Sequence, residues 1–292
     1  MATEIFERGE IYVGRDFGGS EFEITPTAVE NYIAGTGDDH PWYRGESPIG
    51  GAIAPALILH SAVFRNHDWY LPNIFGNLHA RQEWEGFAPI RVGEKLHSRS
   101  VIVGRHFKRD REYVVIECLI LNAQGQIVQR SRTHQSFLIE GGAGGFAVDR
   151  SREKSAGRDF KVGARGGDPI SAPMRTVTPA MCMAFSGPNR NYHTDVEEAR
   201  KLGFPEIVVQ GMLSVCMVAE MMTHRFGLGF IVGGKFDLRL VNVLWADETT
   251  GAQGRIVERR PEGKRTRAEA EVWCEKADGT KTIVGTASAL EL

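Results

Sequence analysis

Residues 186–212 read SGPNRNYHTDVEEARKLGFPEIVVQGM: a polar segment carrying His193, then Gly211, where a long apolar segment from Met212 to Met222 begins. An apolar helix with hardly a polar face needs enclosure on all sides, which points to a curved sheet wrapped around it rather than one flat layer. A glycine in the first turn of such a helix leaves a backbone N–H without an intrahelical partner and admits a ligand closely. It is placed to hold a carbonyl oxygen as negative charge develops. His193, on the segment before that helix, is placed to move the proton. The plainer reading of the same letters is a loop histidine followed by a helix-capping glycine.

The pattern around this stretch occurs twice in the chain, in the same order. Glu23-Ile24-Thr25-Pro26 matches Thr176-Val177-Thr178-Pro179, and Thr36-Gly37-Asp38-Asp39-His40-Pro41-Trp42-Tyr43 lies over Ser186 to His193. Ala54 to Phe64 mirrors Gly211 to Met222, each of helical length, and Phe87 to Glu94 mirrors Val241 to Glu248. Each half ends in alternating apolar and polar residues, such as Val101, Val103, Val114 and Ile116, or Ala268, Ala270, Val272 and Cys274, broken by turn dipeptides. One half therefore reads as entry strand, polar loop, buried helix and antiparallel strands. Between the halves, the Gly-rich, charged stretch from Glu140 to Pro173 reads mostly as linker. The expected division is a first repeat over 1–140, a linker over 141–158 and a second repeat over 159–292, with Phe160 to Ile170 as a candidate entry strand.

The motif resembles the MaoC-like family of R-specific enoyl-CoA hydratases and dehydratases, whose signature is S-G-D-x-N-P-x-H, an A-x-x-x-G-F stretch, then H-G-[ML] opening the central helix. Ser186-Gly187, His193, Asp195, Ala199, Gly203-Phe204 and Gly211-Met212 fall in register with it. The resemblance implies an α+β double hotdog, two repeats each with a curved antiparallel sheet around a central helix. It also implies action on a 2-enoyl or 3-hydroxyacyl thioester, linked to CoA or a carrier protein, with no cofactor beyond CoA as part of the substrate. Where the family carries its catalytic Asp, Asn and first His, this chain has Pro188, Arg190 and Gln210.

Hydration of an enoyl thioester needs a proton taken from water, a proton delivered to the α-carbon, and donors for the enolate-like oxygen. By the resemblance these parts are divided between the repeats. The second keeps His193 and the oxyanion glycine Gly211; the first keeps the Asp (Asp38), with His40 in the Asn position and Tyr43 in the His position. Its helix opens Ala54-Pro55-Ala56, without the glycine. The second half is thus the expected reacting half and the first the acyl-tunnel half. Three readings of Pro188 stay open. His193 works with help from Asn189, Arg190 or Asn191; or Asp38 and His40 form a dyad of their own; or the chain binds or isomerises an acyl thioester without hydrating it, with Arg190 clamping a carboxylate of the acyl group. Gln210, Met212 and Trp42 are the candidate substrate-binding residues. The aromatics Trp42, Tyr43, Trp69, Tyr70 and Trp84 fill core and interface or line a tunnel for a bulky acyl chain.

Composition limits the partners. The 292 residues carry 35 basic and 37 acidic side chains with both signs interspersed, which argues against nucleic acid. The nine histidines show neither HExxH nor Cys partners, so no metal site is expected. The four separated cysteines read as reduced core thiols, and no stretch reads as a signal peptide or membrane span. A cytoplasmic protein is expected, with a homodimer of double hotdogs as its assembly.

Overall fold

Thr25-Pro26 and Thr178-Pro179 each start a helix for the same local reason. The threonine hydroxyl accepts the N–H three residues on, at 3.1 Å to Ala28 and 3.3 Å to Met181, and the proline fills a first-turn position that needs no donor. These are α1 (Pro26–Thr36) and α2 (Pro179–Ser186) in a computed structural model that describes residues 11–64, 78–108, 111–138, 160–163 and 166–292.

The first half continues from β1 (Asp16–Glu23) and α1 through a 3-10 turn at Pro41–Arg44 to β2 (Leu78–Gly86), β3 (Lys95–Lys108), β4 (Arg111–Asn122) and β5 (Ile127–Leu138). The second half has β6 (Asp168–Ser171), β7 (Arg175–Thr176), α2, α3 (Val196–Lys201), α4 (Gly211–Phe226) and α5 (Leu228–Ile231). It ends in β8 (Lys235–Leu240), β9 (Thr249–Glu262), β10 (Arg265–Lys276) and β11 (Lys281–Glu291). All pair antiparallel into one sheet of order β1-β3-β4-β5-β2-β8-β11-β10-β9-β6, with β7 also on β9. The order reads alike from both ends. The halves meet at β2 and β8, where Trp84 lies opposite Phe236 and its ring also packs on Phe230.

The repeat extends to single hydrogen bonds. Ile53 N–H donates to Trp42 C=O and Val208 N–H to Tyr192 C=O; Ala54 N–H donates to Ile90 C=O and Val209 N–H to Leu244 C=O. Gly93 N–H bonds Ile24 C=O in one half, and Asp247 N–H bonds Val177 C=O in the other. Both residues are left-handed, φ 89° and 64°. Since an aspartate already occupies this conformation in the second repeat, Gly93→Asp should cost under about 1 kcal/mol. Gly93→Val, whose branched Cβ clashes there, should cost more than Gly93→Asp by at least about 1 kcal/mol, read from urea midpoints.

The expected second-half helix forms as α4, thirteen of whose side chains are buried. Side chains of β8 to β11 pack into one core with it, to which Cys182, Cys216 and Cys274 belong. All four cysteines, Cys118 included, are free and buried. The first-half expectation needs correction: Ala54 to Phe64 is not an α-helix. Its N–H groups reach back three residues, Ile58 to Pro55, His60 to Leu57, Ala62 to Leu59 and Phe64 to Ser61, and only Ala62–Phe64 is a 3-10 helix. These tighter turns carry His60 onto Phe185 of the other half, rings stacked 4.0 Å apart, and over eleven residues an apolar run does not distinguish the two geometries. The second entry strand also begins later than Phe160, at Asp168, where pairing to β9 starts opposite Ile256. The 141–158 linker and Trp69 and Tyr70 lie outside the described residues.

Candidate functional site

His193 is set by its own loop. Asn191 Oδ1 accepts the His193 N–H at 2.8 Å, and Asn191 C=O accepts the N–H groups of Thr194 and Asp195. Thr194 Oγ and Asn191 Nδ2 both donate to Asn189 C=O. Asn189 and Asn191 therefore brace the loop. Asp195 caps α3 by accepting from Glu197 and Glu198 N–H, and its other oxygen holds Arg190 at 2.8 Å. Arg190 points outward, its side chain 64% exposed. With its guanidinium already on Asp195, Arg190→Ala should change KM for a dicarboxylic substrate by less than about threefold, the scale of an exposed pair.

The imidazole of His193 lies 2.7 Å through Nδ1 from Val208 C=O and packs on the Tyr192 ring. A carbonyl only accepts, so Nδ1 carries the proton and Nε2 presents its lone pair. Burial lowers the pKa to about 4, which keeps the ring neutral at pH 7. No charged group contributes to that shift.

Three residues beyond Val208, α4 begins. Gln210 makes no side-chain cap; its Oε1 accepts from Ser186 Oγ at 3.2 Å. Leu213 N–H bonds Gln210 C=O, whereas among the described residues the N–H groups of Gly211 and Met212 have no acceptor. Met212 is buried in the core. A Cβ on Gly211 would stand 2.2 Å from Leu240 Cδ2 and 4.0 Å from His79 Nδ1. His79 is on β2, in the other half. Its Nε2 is 3.0 Å from Gln82 Oε1, an oxygen that also accepts from Thr133 Oγ, so Nε2 donates, and Nδ1 is the ring nitrogen on the side of Gly211. Burial brings this histidine to about 4 as well.

The Asp38 loop is elsewhere. Asp38 Oδ2 accepts from the Tyr43 hydroxyl at 2.7 Å, and Asp38 Oδ1 lies 3.6 Å from Nε2 of His224, near the C-terminal end of α4. His40 uses Nδ1 to cap the Pro41–Arg44 turn, and its ring meets those of His224 and Trp42 at 4.6 and 4.7 Å. Arg175 joins Thr36 C=O to Glu220 Oε1, each at 2.5 Å. Burial raises the Glu220 carboxyl, Asp38 raises His224, and burial lowers His40. Nine residues of helix, about 14 Å, separate Gly211 from Glu220. Asp38, His40 and Tyr43 thus come together, but at the other end of α4 from Gly211. Trp42, the aromatic expected in the substrate group with Gln210 and Met212, is at this far end too, 3.0 Å from a Cβ built on Gly227.

His60, His79 and His193 all have burial-depressed pKa values, about 3, 4 and 4. Below about pH 6.5 the unfolded chain takes up these protons and the folded chain does not, so stability falls on acidification towards pH 4. The slope reaches up to about 1.4 kcal/mol per pH unit for each histidine. The urea midpoint should drop steeply between pH 7 and 4.5; a flat midpoint contradicts the burial of these rings.

Among the described residues, no helix is long and apolar enough to cross a membrane. Residues 161–272 match the family model of the MaoC like domain. No curated protein sequence matches the chain. Solved structures resemble it over nearly its whole length. A MaoC domain protein dehydratase from Chloroflexus aurantiacus superposes with a TM-score of 0.70, at 13% identity and 99% coverage of each chain. A conserved hypothetical protein from Mycobacterium tuberculosis, described as having a double hotdog fold, gives 0.63 at 12% identity and 97% coverage of each. Full-length peroxisomal multifunctional enzyme type 2 from Drosophila melanogaster gives 0.65 at 13% identity, covering 94% of this chain and 48% of that one. The fold is an α+β double hotdog.

Proposed function

From a double hotdog whose residues 161–272 are a MaoC-like domain, we propose that this chain is a hydratase or dehydratase of a 2-enoyl or 3-hydroxyacyl thioester, reacting at the N-terminal end of α4. The carrying observation is a neutral histidine locked through Nδ1 to Val208 C=O, three residues before Gly211, whose N–H, like that of Met212, has no acceptor among the described residues. The thioester oxygen lies on the Gly211 N–H, where the helix dipole favours developing negative charge. In hydration, His193 Nε2 takes a proton from water as the oxygen bonds C3, and the imidazolium returns that proton to C2. His79, whose Nδ1 faces Gly211, helps to orient that water through a hydrogen bond, a share of the work that a carboxylate at position 188 would do. Water adds across the double bond with no net oxidation or reduction, so no cofactor is needed beyond the carrier of the acyl group.

His79 is absent from the sequence reading because its role depends on the β2–β8 seam. The signal available was its position five residues before Trp84 in β2, and it does not name a partner. One observation favours a second reading, an acyl-thioester binder: Pro188 stands where the carboxylate would, and no charged group contributes to the shift of His193. A panel of enoyl-CoA thioesters, dicarboxylic and aromatic ones included, followed by loss of conjugated enoyl absorbance, separates the two. Turnover supports the enzyme. Saturable binding without turnover supports the binder.

A further inference from the structure

Glu220 and His224 are four residues apart on α4, a spacing that stacks two side chains on one face, and Asp38 reaches the same face from the loop after α1. One ligand atom from each of the three lies within 4.8 Å of the others. Asp38 Oδ1 to His224 Nε2, 3.6 Å, is too long for a hydrogen bond but close to the roughly 3.4 Å between neighbouring tetrahedral ligands of a zinc-sized ion. Both carboxylates are deeply buried, Asp38 2% and Glu220 4% exposed. One oxygen of each is engaged, by Tyr43 and by Arg175, while Asp38 Oδ1 and Glu220 Oε2 accept no hydrogen bond. Buried carboxylate oxygens without a donor are costly, so positive charge between them is the natural complement.

We propose that Asp38, Glu220 and His224 form a site for one divalent transition-metal cation, clamping the first-half loop to the second-half helix. One N–H of His224 can donate to only one of these two oxygens and leaves the other bare; a cation serves both. One imidazole with two carboxylates suits zinc, iron(II) or manganese better than calcium or magnesium, which take oxygen ligands. His224 is half exposed, which provides the entry path and leaves positions for water. Arg175 already offsets part of the Glu220 charge, so the ion is exchangeable rather than a structural zinc.

The test uses the full chain, treated with chelator and titrated with cobalt(II), whose visible absorption reports its ligands, then with zinc in competition. One equivalent should bind, zinc should displace it, and the melting temperature should rise with metal. The near-isosteric Glu220→Gln and the half-exposed His224→Ala should each weaken binding at least tenfold, whereas His97→Ala, on the β3 surface, should not. If Glu220→Gln does not fold, His224→Ala decides. No one-to-one binding, or binding that both variants leave unchanged, overturns the site. Neither result bears on thioester turnover, which is assayed at the opposite end of α4.

Discussion

Replacing His193 by alanine should lower the kcat for hydration of any enoyl thioester the chain turns over by about a hundredfold or more, the usual scale for a positioned general acid–base. The loss belongs in kcat rather than KM, because the imidazole moves a proton in the transition state and adds little ground-state binding. Folding should survive, since the loop rests on Asn191, Thr194 and Asp195, whose bonds do not pass through the His193 ring. What is lost structurally is one hydrogen bond to Val208 C=O, a net cost of about 1 kcal/mol. The rate acceleration of the wild type should also hold down to acid pH, because the ring stays neutral until about pH 4. A His193→Ala enzyme with wild-type kcat makes His193 a loop residue.

Gly211→Val should cost about as much again, by a different route. A Cβ at this position overlaps Leu240 Cδ2 at 2.2 Å, and the two methyl groups beyond it cover the N–H proposed to hold the thioester oxygen. Loss of one oxyanion donor is worth about 10²–10³ in kcat. Gly211→Ala separates packing from chemistry: Leu240 is a partly buried side chain whose tip can shift, so alanine should fold with about 1–3 kcal/mol lost and should retain more activity than valine. Equal activity of glycine and valine variants would remove Gly211 from the reaction.

The parts of this architecture that were legible in the sequence are those decided inside one repeat. Thr25-Pro26 and Thr178-Pro179 stand out as a repeat, and each starts a helix in the same way because capping is local. The apolar run after Gly211 announces an enclosed helix because burial on every face leaves no polar stripe. Ala54 to Phe64 misleads, because composition does not choose between three- and four-residue hydrogen bonds once tertiary contacts, here His60 on Phe185, take part. The partnerships of His79 with Gly211 and of Asp38 with His224 were out of reach for a further reason. Each joins residues from different halves, brought together by the β2–β8 seam at one end of α4 and by the Asp38 loop at the other. Arg190 with Asp195 is local, five residues apart and next to a helix start, yet its charge pointed to a substrate carboxylate instead.

The most direct measurement of the central claim is enoyl-CoA hydration, followed by absorbance, for the wild type, His193→Ala and Asp38→Asn side by side, each checked for folding. A reacting centre at the start of α4 predicts that His193→Ala loses about two orders of magnitude in kcat. Turnover that survives His193→Ala and is abolished by Asp38→Asn would contradict it, placing the chemistry at the far end of the helix.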